Sequence, residues 1–338
     1  MKERLSASPE LFPLRFDRAL RAINLAPLDE AAYAAASFLD ERILVAAGDE
    51  IWAPWGEVER AAERLSGESD FIFHIGHVGS TLVSRLLGAS NRIFSVREPA
   101  ALRTLAAARL DEAAGRRLEV LLRLYARVWR SSQRSLLKAT SFVSEIGPAM
   151  MTRSPSANAI LMFVGPQTYM ATILAGTASR PELPHVTRNR LERLHRRLAG
   201  VFWDVESLSL GEMAALGWTC EICALAGVAT AFPERVLWLD FDRFLQRPRA
   251  GLTAALGRLH GETRETDLRL MLASPDLRRY AKAPEHAFDA DMRRQILDEA
   301  LRGYRFEIER GLAWINAAAS AHPPIAAATR LAAAGRTI

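Results

Sequence analysis

Residues 71–87 read Phe71-Ile-Phe-His-Ile-Gly-His-Val-Gly-Ser-Thr-Leu-Val-Ser-Arg-Leu-Leu87, and this stretch decides the fold class. Residues 71–75 are a short apolar run of strand length. Gly76 and Gly79 then punctuate a loop, and after Ser80-Thr81 the residues Leu82, Val83, Leu86 and Leu87 recur at helical spacing. A strand that runs through a glycine loop into a helix makes an anion cradle. Glycine lets the backbone turn sharply, the first helical N–H groups are unpaired and carry partial positive charge, and the two hydroxyls add donors. The order is not Gly-x-x-x-x-Gly-Lys-Ser/Thr, which would place glycine at 74 and lysine at 80, where the chain has His74 and Ser80.

The alternation continues downstream. Apolar runs bounded by polar, Gly or Pro residues recur at 92–96, 135–139, 159–164 and 235–239, and helical patterns lie between them at 118–129, 188–198 and 213–232. Strands alternating with helices build βαβ units. The expected class is therefore α/β, a three-layer sandwich with a mostly parallel central sheet, P-loop NTPase-like. Residues 1–68, broken by Pro9, Pro13, Pro27, Gly48 and Pro54, predict an N-terminal helical extension of short helices. The α/β domain is expected over 69–318, closing with one amphipathic helix over 292–315, and 319–338 predict a Pro/Ala-rich tail.

Composition limits the function. The 338 residues are 49% hydrophobic and 25% charged, which excludes disordered, collagen-like and disulfide-scaffold classes. A net charge of +5 and a pI near 9.6 suit an anionic small ligand and are too slight to argue for a nucleic-acid partner. Lys2, Lys138 and Lys282 are the only lysines, so a lysine inside the body of the chain is a marked residue. Cys220 and Cys223 form a lone Cys-x-x-Cys, short of the four ligands that tetrahedral zinc takes, and are read as packing in an apolar helix; no metal is expected. Glu221 interrupts that apolar stretch, which predicts a buried core helix and no membrane span. The opening residues MKERLSASPELFPL carry acids and no apolar signal core, so a cytoplasmic protein is expected.

At His77-Val78-Gly79-Ser80-Thr81 the chain resembles the sulfotransferase superfamily, whose 5′-phosphosulfate loop typically reads Lys/Arg-Ser-Gly-Thr-Thr at a strand-to-helix turn. Ser95-Val-Arg-Glu-Pro99 ends the second strand and places Glu98 21 residues beyond His77, similar to the strand-end acid that serves as base in tyrosylprotein sulfotransferases. Leu136-Leu-Lys-Ala-Thr140 is similar to the strand-end lysine of the same enzymes. Arg235-Val-Leu-Trp-Leu-Asp-Phe-Asp-Arg-Phe-Leu-Gln-Arg-Pro248 resembles the late family signature, an apolar strand followed by Tyr/Phe-Glu/Asp-x-Leu/Phe-x-x-x-Pro. The resemblance implies sulfuryl transfer from the nucleotide co-substrate 3′-phosphoadenylyl sulfate to a hydroxyl or amine acceptor that the sequence does not disclose. It implies that Gly76, His77, Val78, Gly79, Ser80, Thr81 and Leu82 hold the 5′-phosphosulfate. By the same resemblance Thr172 would serve the 3′-phosphate, Lys138 would lie near the bridging oxygen or the transferring group, and Glu98 would take the acceptor proton.

Two positions depart from the family. The arginine that usually binds the 3′-phosphate is Val164, although Thr172 keeps the hydroxyl eight residues on; Arg153, Arg180 and Arg188 are the nearby candidates to replace it. His77 holds the loop cation position, and imidazole is charged only below about pH 6.5 unless an anion raises its pKa. Plainer readings stand beside the functional ones. Glu98 could pair with Arg97 or Arg103, Lys138 could be solvated, Thr172 could bond its own helix, and His74 reads as a satisfied core histidine. His185, His195, His260 and His286 have no partner at ligand spacing. The alternatives are an ATP-dependent P-loop kinase, which the missing loop lysine disfavours, and a non-catalytic nucleotide-binding protein that lost the 3′-phosphate arginine.

Overall fold

The structure is a computed structural model that describes residues 2–45, 50–108, 110–198, 203–280, 283–287 and 290–335. Apart from a short pair of strands, Arg279–Tyr280 and Ala283–Ala287, eight strands build its two larger sheets among the described residues: β1 (Leu11–Phe16), β2 (Ala22–Pro27), β3 (Ile51–Pro54), β4 (Ser69–His74), β5 (Ile93–Arg97), β6 (Arg134–Lys138), β7 (Ala159–Phe163) and β8 (Val236–Asp240). The last five form one sheet in the order β5-β6-β4-β7-β8, and every pairing in it is parallel. Strands β4, β5 and β7 are buried at every position, as a sheet covered on both faces requires. From central β4 the chain runs out to β5, returns to β6 on one side of β4, and then crosses to β7 on the other. The order therefore reverses at β4, and the crevice beyond the carboxyl ends of β4, β6 and β7 is where such sheets bind ligands. The 71–87 stretch leaves the sheet at that point.

The apolar 213–232 stretch is the core helix, Leu210–Ala231, opened by a capping box of Ser209 and Glu212. It is long and apolar enough to cross a membrane by composition, but 17 of its 22 residues are buried. The helices Pro166–Ala175, Ser179–Arg197, Arg305–Ala321 and Pro323–Ala334 pack around it. Cys220 and Cys223 lie inside this packing, where burial pushes their thiols up to about 12 and about 11. Glu221 does not face water: it pairs with buried Arg193 and lies 3.6 Å from Arg190 on the Ser179–Arg197 helix.

Three local expectations change. Residues expected as short helices alone hold the helices Lys2–Ala7, Glu30–Ala35 and Trp55–Ala62 together with an antiparallel sheet, β1-β2-β3. Pro13 and Pro27 read as breakers but are strand residues, Pro13 beside a register shift and Pro27 at a strand end, positions where a missing N–H is tolerated. The helix expected over 292–315 is two helices, Ala290–Gly303 and Arg305–Ala321, broken at Tyr304 after Gly303. The expected tail is the helix Pro323–Ala334, whose Ile325, Ala328 and Ala332 are buried at helical spacing against the core helix.

Candidate functional site

The loop after β4 is shaped by its own residues. His74 is buried at the strand end, and its Nδ1 accepts the Gly76 N–H at 3.0 Å, which turns the chain. Gly76, His77 and Gly79 then have φ of 81°, 55° and 63°, so three of four successive residues are left-handed. At Gly79 a Cβ would also overlap the Phe241 ring, so no other residue fits. The helix Ser80–Gly88 starts there with no capping side chain and no acid in its first turn. Its N-terminal N–H groups and partial positive charge are thus open to a ligand. Thr81 Oγ1 is buried and, among the described residues, has no hydrogen-bond partner. A buried hydroxyl without a partner is uncommon and suits a ligand oxygen.

The second element is the pair at the ends of β5 and β6. Lys138 is fully buried, its Nζ donates to Glu98 Oε1, and the Glu98 N–H donates to the Lys138 carbonyl at 2.7 Å. Thr140 Oγ1 lies 3.4 Å from Glu98 Oε2, and His74 Nε2 lies 3.9 Å from Oε1. Among the described residues only Leu20, His77 and Glu98 are non-glycine residues with positive φ, and two of these three face the same cavity. Such backbone is held against its preference and clusters at functional sites. Glu98 does not form the surface pair with Arg97 or Arg103. Arg97 is turned inward onto the carbonyls of Tyr33, Ala34 and Ala36, its pKa pushed down to about 9 by burial, and Arg103 pairs with Glu41 at 3.1 Å. Lys138 is not solvated.

A cavity of about 580 Å³ joins these parts. Residues 76–82, His74, Glu98, Thr140, Thr172 and Arg190 line it, with Phe38, Phe241, Arg279 and Arg293 among the other walls. Lys138, paired with Glu98, is not among the lining residues. His74 is therefore both a core histidine and a wall of the site. Thr172 does two things: its hydroxyl donates to the Thr168 carbonyl at 2.8 Å, and it faces the cavity. Val164 is buried and offers no charge; its carbonyl accepts from Trp218 Nε1 at 2.9 Å. None of the three arginines suggested in its place lines the cavity. Arg153 bonds the Gly115 and Ala149 carbonyls, Arg180 bonds the Tyr304 hydroxyl, and exposed Arg188 pairs with Glu206.

The arginines that do line it are Arg190, Arg279 and Arg293, beside His74 and His77. Arg190 is held by Glu221 and by the Tyr169 hydroxyl at 3.3 Å, and Gly217 makes room for it, since a Cβ there would lie 2.8 Å from Nη1. Nothing in the local sequence distinguishes these arginines from the other cations of an arginine-rich chain; the tertiary fold alone selects them. Lys282 lies outside the described residues. Three or more His, Cys, Asp or Glu side chains grouped as metal ligands do not occur among the described residues.

No family model matches the chain, and no curated protein matches it. Among solved structures, a sulfotransferase domain from the curacin biosynthetic pathway is similar at 11% identity and a TM-score of 0.41, over 75% of this chain and 98% of that one. Sulfotransferase STF9 from Mycobacterium avium is similar at 12% identity and a TM-score of 0.41, over 72% of this chain and 79% of that one.

Proposed function

We propose that this protein is a sulfotransferase-like enzyme that moves a sulfuryl group from 3′-phosphoadenylyl sulfate to a hydroxyl or amine acceptor. The observation that carries the reading is one cavity, at the sheet's switch point, that has an open anion cradle on one wall and a strand-end carboxylate on another. The amides and hydroxyls of 78–82 would hold the 5′-phosphosulfate, with His77 beside the leaving oxygen. Thr172 and Arg190, which both line the cavity, would supply the hydroxyl and the cation for a 3′-phosphate, the cation that Val164 does not provide. The acceptor oxygen or nitrogen attacks sulfur in line, its proton passes to Glu98, and the bond from sulfur to the bridging oxygen breaks to release adenosine 3′,5′-bisphosphate. Positioning and fixed electrostatics dominate such a transfer.

Lys138 takes a different part from the one its strand-end position suggests. Buried and paired with Glu98, it orients the carboxylate; contact with the bridging oxygen would require it to leave that partner. The apolar walls Phe38, Leu82 and Phe241 leave the acceptor's identity to shape. A cytoplasmic setting, with no nucleic-acid partner, goes with this reading.

The test is transfer of label from ³⁵S-labelled donor to a panel of small hydroxyl and amine acceptors. Wild type should label at least one class, and Glu98→Gln should fall by roughly 10²–10⁴-fold, the range for loss of a general base. Equal rates for the two proteins would remove Glu98 from the chemistry.

A further inference from the structure

The loop has a histidine where a permanent cation is expected, and the cavity holds a guanidinium that the loop's own sequence does not supply. Arg293 lies on the helix Ala290–Gly303, far along the chain from residues 76–82, yet it lines the same cavity. The contact runs through Phe241. That ring packs against Gly79 closely enough to exclude a Cβ, and Arg293 Cζ lies 5.3 Å from the centroid of the same ring. Arg293 is mostly buried, its side chain 14% exposed, and Nη1 is 2.7 Å from Asp242 Oδ1. That ion pair lacks hydrogen-bond geometry. Asp242 Oδ1 and Arg293 Nη2 are both buried with no hydrogen-bond partner among the described residues. A buried guanidinium nitrogen left unbonded is rare and needs an explanation. Arg293 also lines the cavity beside the loop.

We infer that Arg293 supplies the cation the loop lacks, its Nη2 edge donating to an oxygen of the phosphate or sulfate group seated on the amides of 76–82. Phe241 fixes the guanidinium by its ring face, and Asp242 holds one edge without consuming the other. Arginine stays charged at every physiological pH and presents a planar fork to tetrahedral anions, so the seat does not depend on the protonation of His77. The inference rests on the anion seat of the proposed function and not on the nucleoside.

The experiment is titration calorimetry of the full chain with inorganic pyrophosphate, which carries two linked anionic groups and no base or ribose. Arg293→Gln should weaken binding about 10- to 100-fold, the effect of one charged hydrogen bond. Arg293→Lys should recover part of that loss. Asp242→Asn, which releases Arg293 from its counter-charge, should tighten binding severalfold and keeps the test available if Arg293→Gln does not fold. Wild type that ignores pyrophosphate overturns the inference, as does a folded Arg293→Gln within twofold of wild type or an Asp242→Asn that binds no better. Pyrophosphate binding that depends on Arg293, in a protein that binds no adenosine nucleotide, supports the anion seat and ends the sulfotransferase reading.

Discussion

Lys138 Nζ donates to Glu98 Oε1 across the carboxyl ends of two neighbouring parallel strands, with the lysine side chain at 0% exposure and the carboxylate at 14%. The pairing follows from register. Arg97 faces Lys138 in the β5–β6 ladder, and the next residue, Glu98, takes φ of 52°, which turns it from the ladder toward the cavity. A lysine with no water around it needs a carboxylate, and a carboxylate so held is fixed in position for a proton.

Removing the glutamate, as in Glu98→Gln, should be the costlier half of this pair, because it leaves the fully buried lysine charge uncompensated. Breaking a buried ion pair by deleting one partner costs about 3–5 kcal/mol, and Glu98 is partly exposed, so Lys138→Met should fall near about 3 kcal/mol. Lys138→Met with Glu98→Gln should recover part of the loss because no charge is left uncompensated. Urea unfolding of the three proteins measures this. A single variant within about 1 kcal/mol of wild type would mean that the pair is solvated.

Gly76 and Gly79 both have positive φ, but only Gly79 lies under an aromatic ring. Gly76→Ala meets nothing nearer than Ser141 Oγ at 3.5 Å, so it should cost only the left-handed penalty of about 1–2 kcal/mol. Gly79→Ala adds overpacking of about 1–3 kcal/mol and should displace Phe241. Phe241→Leu in that background should restore part of the stability. Equal melting temperatures for the two alanine variants would contradict the contact.

His260 gives a pH signature remote from the cavity. Burial, and then Arg92 and Arg134, push its pKa down to about 4, and its Nε2 is buried without a hydrogen-bond partner among the described residues. The folded state thus keeps it neutral while the unfolded chain takes up a proton near pH 6.5. Below that pH the unfolded state binds more protons, so this contribution is full above about pH 6.5 and is lost as pH falls toward 4. The urea midpoint of His260→Gln should decline less steeply than that of wild type between pH 7 and 4. Parallel curves would show that the imidazole titrates alike in both states.

Arg190 should discriminate between nucleotides. Arg190→Ala should weaken adenosine 3′,5′-bisphosphate by about 1.5–3 kcal/mol, the scale of a charged hydrogen bond, and leave adenosine 5′-phosphate nearly unchanged. Calorimetry of both ligands decides it. Equal loss for the two would move Arg190 away from the 3′ end.

The 71–87 stretch made the sheet and its loop legible because each signal there is local: a five-residue apolar run, two glycines, two hydroxyls and a 3.6-residue period. The same holds for the other four parallel strands, whose apolar runs are largely buried between the covering layers. The N-terminal sheet was not legible, because Pro13 and Pro27 carry a breaker's meaning in the sequence and a strand-edge meaning in the fold. At the site, Glu98, Lys138 and Thr172 could be named through the family resemblance, whose strand-end and spacing pattern they match. Their pairing could not, since ion pairs between strands depend on a register that no single segment contains. Arg190 and Arg293 escaped for the opposite reason. They sit on helices in arginine-rich surroundings, and only packing through Gly217 and Phe241 brings them to the cavity.

The measurement closest to the central claim is a titration of wild-type protein with adenosine 3′,5′-bisphosphate in a chelator, run beside ATP with magnesium. A cradle built from backbone amides, Thr81 and arginines needs no metal to hold a phosphate. The account predicts saturable 1:1 binding of the bisphosphate with the chelator present, and no gain for ATP when magnesium is added. Absence of bisphosphate binding, or ATP binding that appears only with magnesium, would contradict it.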